Sequence, residues 1–149
     1  MLSYHFDFLA ISKNFPRGDM GGNLFKIAHP NFGNLHSLWD SGLGALNELQ
    51  RPFTDSEISW LNNYTDGLMM EYSKNSFTER EISSSPKQWL DEGVEIVKNN
   101  VYQNIKSDEA PSKKYLEDNR TIVRRQIALA GYRLANELNC IYKSDKCIN

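Results

Sequence analysis

Asn34-Leu35-His36-Ser37-Leu38-Trp39-Asp40 sets a histidine and a carboxylate four residues apart, the spacing that stacks two side chains on one helix face. Asn34 suits the N-cap, where its side-chain oxygen accepts a bond from an orphan backbone N–H. The stretch therefore predicts a helix opening at Asn34 and burying Leu35, Leu38 and Trp39. Imidazole nitrogen with carboxylate oxygen is zinc-type ligation, and a helix holds such a pair at fixed separation. The same two residues also suit a surface hydrogen bond. The heptapeptide alone leaves both readings open.

Upstream lies Gly18-Asp19-Met20-Gly21-Gly22-Asn23, and before it His5. The glycines allow the backbone to turn tightly or to approach a site closely. Taken together, Asp-x-Gly-Gly-Asn, a short strand and Asn-Leu-His-x-x-Trp-Asp resemble the class I zinc nucleases. This is the single-strand nuclease and 3'-nucleotidase family (the S-one/P-one type), relatives of bacterial zinc phospholipase C. The stretch from Ile127 to Asn139, containing Ala128, Gly131 and Ala135, is similar to the family's last core helix. The resemblance runs from about His5 to Asn139. Between Gln50 and Ile122 it rests on helical character and the Trp89–Glu92 neighbourhood.

The resemblance implies an all-α, phospholipase C-like fold around three zinc ions. One zinc is held by two histidines and a carboxylate, positions that match His5, His36 and Asp40. Asp19 and Asn23 would orient an imidazole or contact substrate, or else simply shape and cap the turn. In the family the nucleophile is a metal-bound water and no protein group serves as base. The substrates are single-stranded DNA or RNA, or nucleotides, and the products carry 5'-phosphates.

Ser3-Tyr4-His5 stands where the family has Pro-Leu-His, and further family ligands would precede residue 1. The expectation is thus the C-terminal portion of one zinc nuclease domain, with at most one full zinc site and little activity alone. The missing N-terminal half would be its partner. A degenerate, non-catalytic homologue serving as a zinc-binding or interaction module is the alternative. Phospholipase-type head-group hydrolysis is a third reading. Asp40 weighs against it, since that branch has Glu at this position. The family implies a secreted or lysosome-like location.

The bulk properties suit a globular domain. The 149 residues are 40% hydrophobic and 24% charged, too apolar for disorder. No apolar run nears the ~20 residues that span a bilayer, so no membrane association is expected. Met1 to Ala10 does not read as a signal peptide, because it lacks a basic start and Asp7 interrupts it. The net charge of -2 argues against a dedicated polyanion surface. The basic doublets Lys113-Lys114 and Arg124-Arg125 read as solvated helix positions. Cys140 and Cys147 would form a small disulfide loop in an oxidising compartment, remain as thiols in a frayed tail, or pair with a cysteine in the missing half. Asn63-Tyr64-Thr65 and Asn119-Arg120-Thr121 are glycosylation sequons. His29 reads as an exposed loop histidine.

Along the chain, residues 1–33 are expected to be irregular, with one short strand or hairpin around Leu24 to Ala28. Residues 34–141 are expected to be helical and 142–149 a tail. The first helix should reach Leu46 and Leu49, with a break at Gly42 and Gly44. The second starts at Thr54, where Glu57 completes a capping box, with Ile58, Leu61, Thr65, Leu68 and Tyr72 on one face. The third starts at Ser85, with Pro86 at its first position and Gln88 closing the box. Leu90, Val94, Val97 and Val101 form its apolar face. The fourth runs from about Ser112 to Ile141 with Leu116, Val123, Ile127, Ala130, Leu134, Leu138 and Ile141 in line. If a partner half is absent, some of these faces should be exposed.

Overall fold

The computed structural model describes residues 15–46, 49 and 51–143. They are mostly helical and contain no sheet. We number the helices α1 (Leu35–Asp40), α2 (Asp55–Glu71), α3 (Glu79–Ile82), α4 (Pro86–Ile96) and α5 (Lys113–Lys143). The described residues form two compact units, one of 15–46 with 90–120 and one of 49 and 51–89 with 121–143.

In the first unit the expected strand is a single antiparallel bridge, Lys26 with Asn34. The return between them is too short and irregular to continue the ladder, so a hairpin-like loop replaces it. The α1 helix is also shorter than expected. Asn34 caps it by accepting from Ser37 N at 2.8 Å. It stops at Asp40, because Gly42, Leu43 and Gly44 all take positive φ (61°, 56° and 76°), which no helix can carry. The Arg120 guanidinium secures that turn by donating twice to the Leu43 carbonyl, at 3.0 and 2.7 Å.

After Ile96 the α4 helix widens into one π-helical turn, Val97–Val101. Such turns insert an extra residue into an α-helical run. Val97 and Val101 are buried as their spacing predicts, whereas Leu90 is exposed. Ile27, Leu35, Leu38, Leu43 and Tyr115 supply the other buried apolar side chains of this unit.

In the second unit Thr54–Glu57 forms its capping box at the start of α2. A second box, Thr78 with Glu81, opens α3. Ser85 and Gln88 bond reciprocally ahead of Pro86. The core joins Phe77, Ile82 and Leu129, with Tyr72, Ala128 and Tyr132 packed against it. The apolar line expected for α5 is misplaced. Ile127, Leu134, Leu138 and Ile141 are exposed, while Leu129 and Arg133 are buried, as are Tyr115 and Asn119 in the same helix's first-unit turns.

Arg133 occupies the buried stripe because it finds partners there. Arg133 Nε donates to the Glu81 carbonyl at 2.9 Å and its guanidinium lies 5.4 Å from the Trp89 ring centroid. On α2 only Leu68 of the expected face is buried; Ile58 and Leu61 are exposed. Among the described residues Gly131 has no neighbour within 4 Å of where a Cβ would stand, so none of the described helices packs against that small position. Arg124 and Arg125, expected to be solvated, pair instead with Glu71 and Glu81.

Candidate metal centre

All the side chains of the centre come from the first unit. The chain from Gly18 to Gly22 turns through consecutive positive-φ residues, Met20 (56°), Gly21 (67°) and Gly22 (85°). Gly22 is obligatory on two grounds. Its φ disfavours any side chain, and a Cβ there would stand 3.1 Å from His36 N. This close approach seats the loop on the first turn of α1, where His36 N donates to Gly22 O at 3.3 Å.

His36 Nδ1 lies 2.9 Å from Gly21 O, and its Nε2 lies 3.0 Å from Asp40 Oδ2. A carbonyl only accepts, so this contact is a hydrogen bond in the tautomer that carries its proton on Nδ1. A neutral imidazole has a single N–H, so that tautomer leaves a lone pair on Nε2 facing the carboxylate. Either a proton or a cation must lie between them. Zinc suits the gap: two ligand atoms of a zinc tetrahedron stand about 3.3 Å apart given the usual bond lengths. Gly21 O stands where an outer partner would fix the tautomer of a ligating imidazole. The donor set at this point therefore fits zinc, with the Asp40 carboxylate exposed.

Among the described residues no third His, Cys, Asp or Glu joins the pair. His5 lies outside the described residues. His29 is half-buried, not exposed. Its ring stacks on Phe32 at 4.9 Å and its Nδ1 accepts from Asn31 N, so it is engaged in its own loop.

Asp19 is fully buried. Its Oδ1 accepts from Gly22 N at 2.9 Å and its Oδ2 from the Tyr102 hydroxyl at 2.7 Å. Asn23 donates to Met20 O at 2.9 Å, closing the same turn. Both side chains thus bond the loop, and the loop bonds His36.

Trp39 is half-buried, and its Nε1–H donates to the Tyr115 hydroxyl, which donates in turn to Val101 O at 2.7 Å. Gly21, Gly22, Leu35, His36, Trp39, Val101 and Tyr102 together line a shallow depression beside the imidazole. Burial, with the Asp19 contact second, raises the Tyr102 phenol well above its ordinary range. Burial likewise pushes Tyr115 up to about 12. Both hydroxyls therefore remain donors at neutral pH. Nothing in local sequence pointed to Tyr102 or Tyr115, which lie 83 and 76 residues from their partners.

The S1/P1 Nuclease family profile matches residues 6–143. The chain is similar to Endonuclease 1 of Arabidopsis thaliana, 28% identical over 137 residues, covering 87% of this chain and 44% of that protein. It is also similar to Endonuclease 2 of the same plant, 24% identical over 136 residues, covering 83% of this chain and 44% of the relative. The chain therefore spans less than half the length of these curated relatives. No solved structure matches it. The matched span holds His36, Asp40 and the whole loop beneath them, and the chain belongs to the S1/P1 nuclease family.

Proposed function

We propose that this chain contributes one zinc site to a nuclease that hydrolyses phosphodiester bonds of single-stranded DNA or RNA to 5'-phosphate products and also removes the phosphate of 3'-nucleotides. The observation that carries the reading is the His36 ring itself. Gly21 O holds Nδ1, and Nε2 faces the Asp40 carboxylate across a gap of metal-binding size. His5 is the proposed third ligand. Zinc supplies Lewis acidity toward the phosphate ester and toward water.

The chain's own residues bind and orient. His36 offers Nε2, Asp40 balances the cation's charge, and Asp19 with Asn23 shapes the loop that fixes the ring. Trp39 is held to Tyr115 as a wall of the depression. With three histidines in the whole chain, these 149 residues hold one zinc and turn over little substrate alone. The setting is secretory, a reading supported by the disulfide-bonded state of Cys140; Cys147 lies outside the described residues. Asn63 is the accessible sequon. Asn119 is buried, and its amide donates to Tyr115 O at 2.8 Å.

The test is zinc stoichiometry by calorimetry and metal analysis on the purified polypeptide. One zinc per chain is expected, with His36→Asn and Asp40→Asn each weakening binding more than about tenfold. A wild-type chain that takes up no zinc would overturn the proposal. Three zincs, or full phosphodiesterase turnover by the chain alone, would overturn the single-site reading.

A further inference from the structure

The amide N–H that Asp19 accepts and the carbonyl that His36 Nδ1 meets belong to one peptide unit, Gly21–Gly22. A continuous chain of bonds results: Tyr102 hydroxyl to Asp19, Gly22 N–H to Asp19, and His36 Nδ1–H to Gly21 O. We infer that Tyr102 is a positioning residue for His36, holding Asp19 so that the carboxyl group polarises the Gly21–Gly22 peptide and selects the imidazole tautomer that leaves Nε2 open to metal.

The imidazole has one proton and two acceptors competing for it. If Gly21 O takes it, Nε2 is free to ligate. If Asp40 Oδ2 takes it, Nε2 is blocked by an ordinary side-chain hydrogen bond. The two acceptors are at similar distances, 2.9 and 3.0 Å, so distance alone does not choose between them. Their surroundings differ. Asp40 is exposed, and water competes for its oxygens. Gly21 is buried, and its peptide already donates to a carboxyl group on the opposite side.

Donation from the amide strengthens the same peptide's carbonyl as an acceptor, the cooperative effect expected of bonds in series at low dielectric. In many zinc sites a carboxylate bonds the ligating histidine directly. Here a peptide is interposed, and the carboxyl group acts through it.

Tyr102 enters because Asp19 is wholly buried and a buried carboxyl group is costly unless its oxygens are satisfied. The Gly22 amide serves Oδ1, and Tyr102 serves Oδ2. The tyrosine is itself braced by an edge-on contact with Phe25, with ring centroids 5.7 Å apart. Removing its hydroxyl leaves Oδ2 short of a partner at the one point that fixes the loop's orientation.

This inference rests on the zinc reading, but its primary readout needs no metal. Long-range ¹⁵N NMR of the metal-free chain reports the tautomer of each of its three histidines, and His36→Asn assigns the relevant signals. At a pH where the ring is neutral, wild type is expected as the Nδ1–H form. Tyr102→Phe should shift His36 measurably toward the Nε2–H form and weaken zinc binding about tenfold. Asp19→Asn, which retains shape and exchanges one acceptor oxygen for an amide, should shift it in the same direction. Tyr132→Phe removes a hydroxyl bond in the second unit and should leave the tautomer unchanged.

A wild-type Nε2–H tautomer would overturn the inference, as would a folded Tyr102→Phe chain with the wild-type tautomer ratio. If Tyr102→Phe fails to fold, the wild-type and Asp19→Asn spectra decide. Loss of zinc binding in wild type with the Nδ1–H form intact would remove the zinc reading and leave the positioning chain standing.

Discussion

Trp39 Nε1 donates to the hydroxyl of Tyr115 at 2.9 Å, joining α1 to the first turn of α5. The same hydroxyl donates to Val101 O, so one buried oxygen satisfies two other groups. Tyr115→Phe leaves an indole N–H and a carbonyl without this partner and should destabilise the chain by about 1–3 kcal/mol. Chemical denaturation measures this. An unchanged midpoint would show that water replaces the hydroxyl freely.

Alkaline stability follows from the same group. Burial raises Tyr115 to about 12 in the folded chain, against about 10 when unfolded. Its contribution is therefore complete below about 10 and is lost as pH climbs through the folded value. Ultraviolet titration should show Tyr102 and Tyr115 ionising above the ordinary phenol range, with the denaturation midpoint falling over that interval.

The Glu81 carboxylate gives the opposite sign. A bond from Arg125, then bonds from Thr78, hold it down at about 2. Its contribution is thus present above the ordinary carboxylate range and disappears as pH falls toward 2. Glu81→Gln should cost about 1 kcal/mol at neutral pH, discounted for a partly exposed pair. The difference from wild type should vanish in strong acid, as thermal melts across pH would reveal.

Gly22→Ala should be damaging despite adding one methyl group. The new Cβ meets His36 N at 3.1 Å with φ at +85°. A cost above about 1–2 kcal/mol is expected from the backbone alone. Calorimetric melting checks it, and Gly33→Ala, with open space around it, is the matched control.

Large apolar side chains stand in solvent on α2 and α5, among them Met70 at 86% and Ile141 at 68% exposed. Met70→Lys and Ile141→Lys should reduce self-association in light scattering while leaving the melting temperature within about 1 °C, as expected of substitutions at exposed sites away from packing features. A fall in stability would show that these side chains pack in solution.

The features legible in sequence were those whose partners lie within one helical turn. Thr54–Glu57, Ser85–Gln88 and His36–Asp40 each join residues three or four apart, so spacing alone exposes them. The break after α1 was legible because Gly42 and Gly44 cannot be mistaken for helix interior. The buried face of α5 was not. Hydrophobic periodicity assigns Leu134 and Leu138 inward, yet Arg133 is buried because a carbonyl 52 residues away accepts its Nε–H. Asp19 was visible as a candidate, but the tyrosine that completes its contacts is 83 residues distant. Long-range polar partners, which satisfy the cost of burial, leave no periodic trace.

The π-helical turn at Val97–Val101 has an angular consequence. A π-turn sets residue i+5 over residue i where an α-turn sets i+4, so the turn takes up its extra residue without altering the direction in which Tyr102 leaves it. Deleting a single residue from Lys98–Asn100 would restore ordinary helical pitch and keep the phenol aimed at Asp19. The turn is slack in the helix, absorbing residue count above the loop beneath His36 while the hydroxyl stays where the loop needs it.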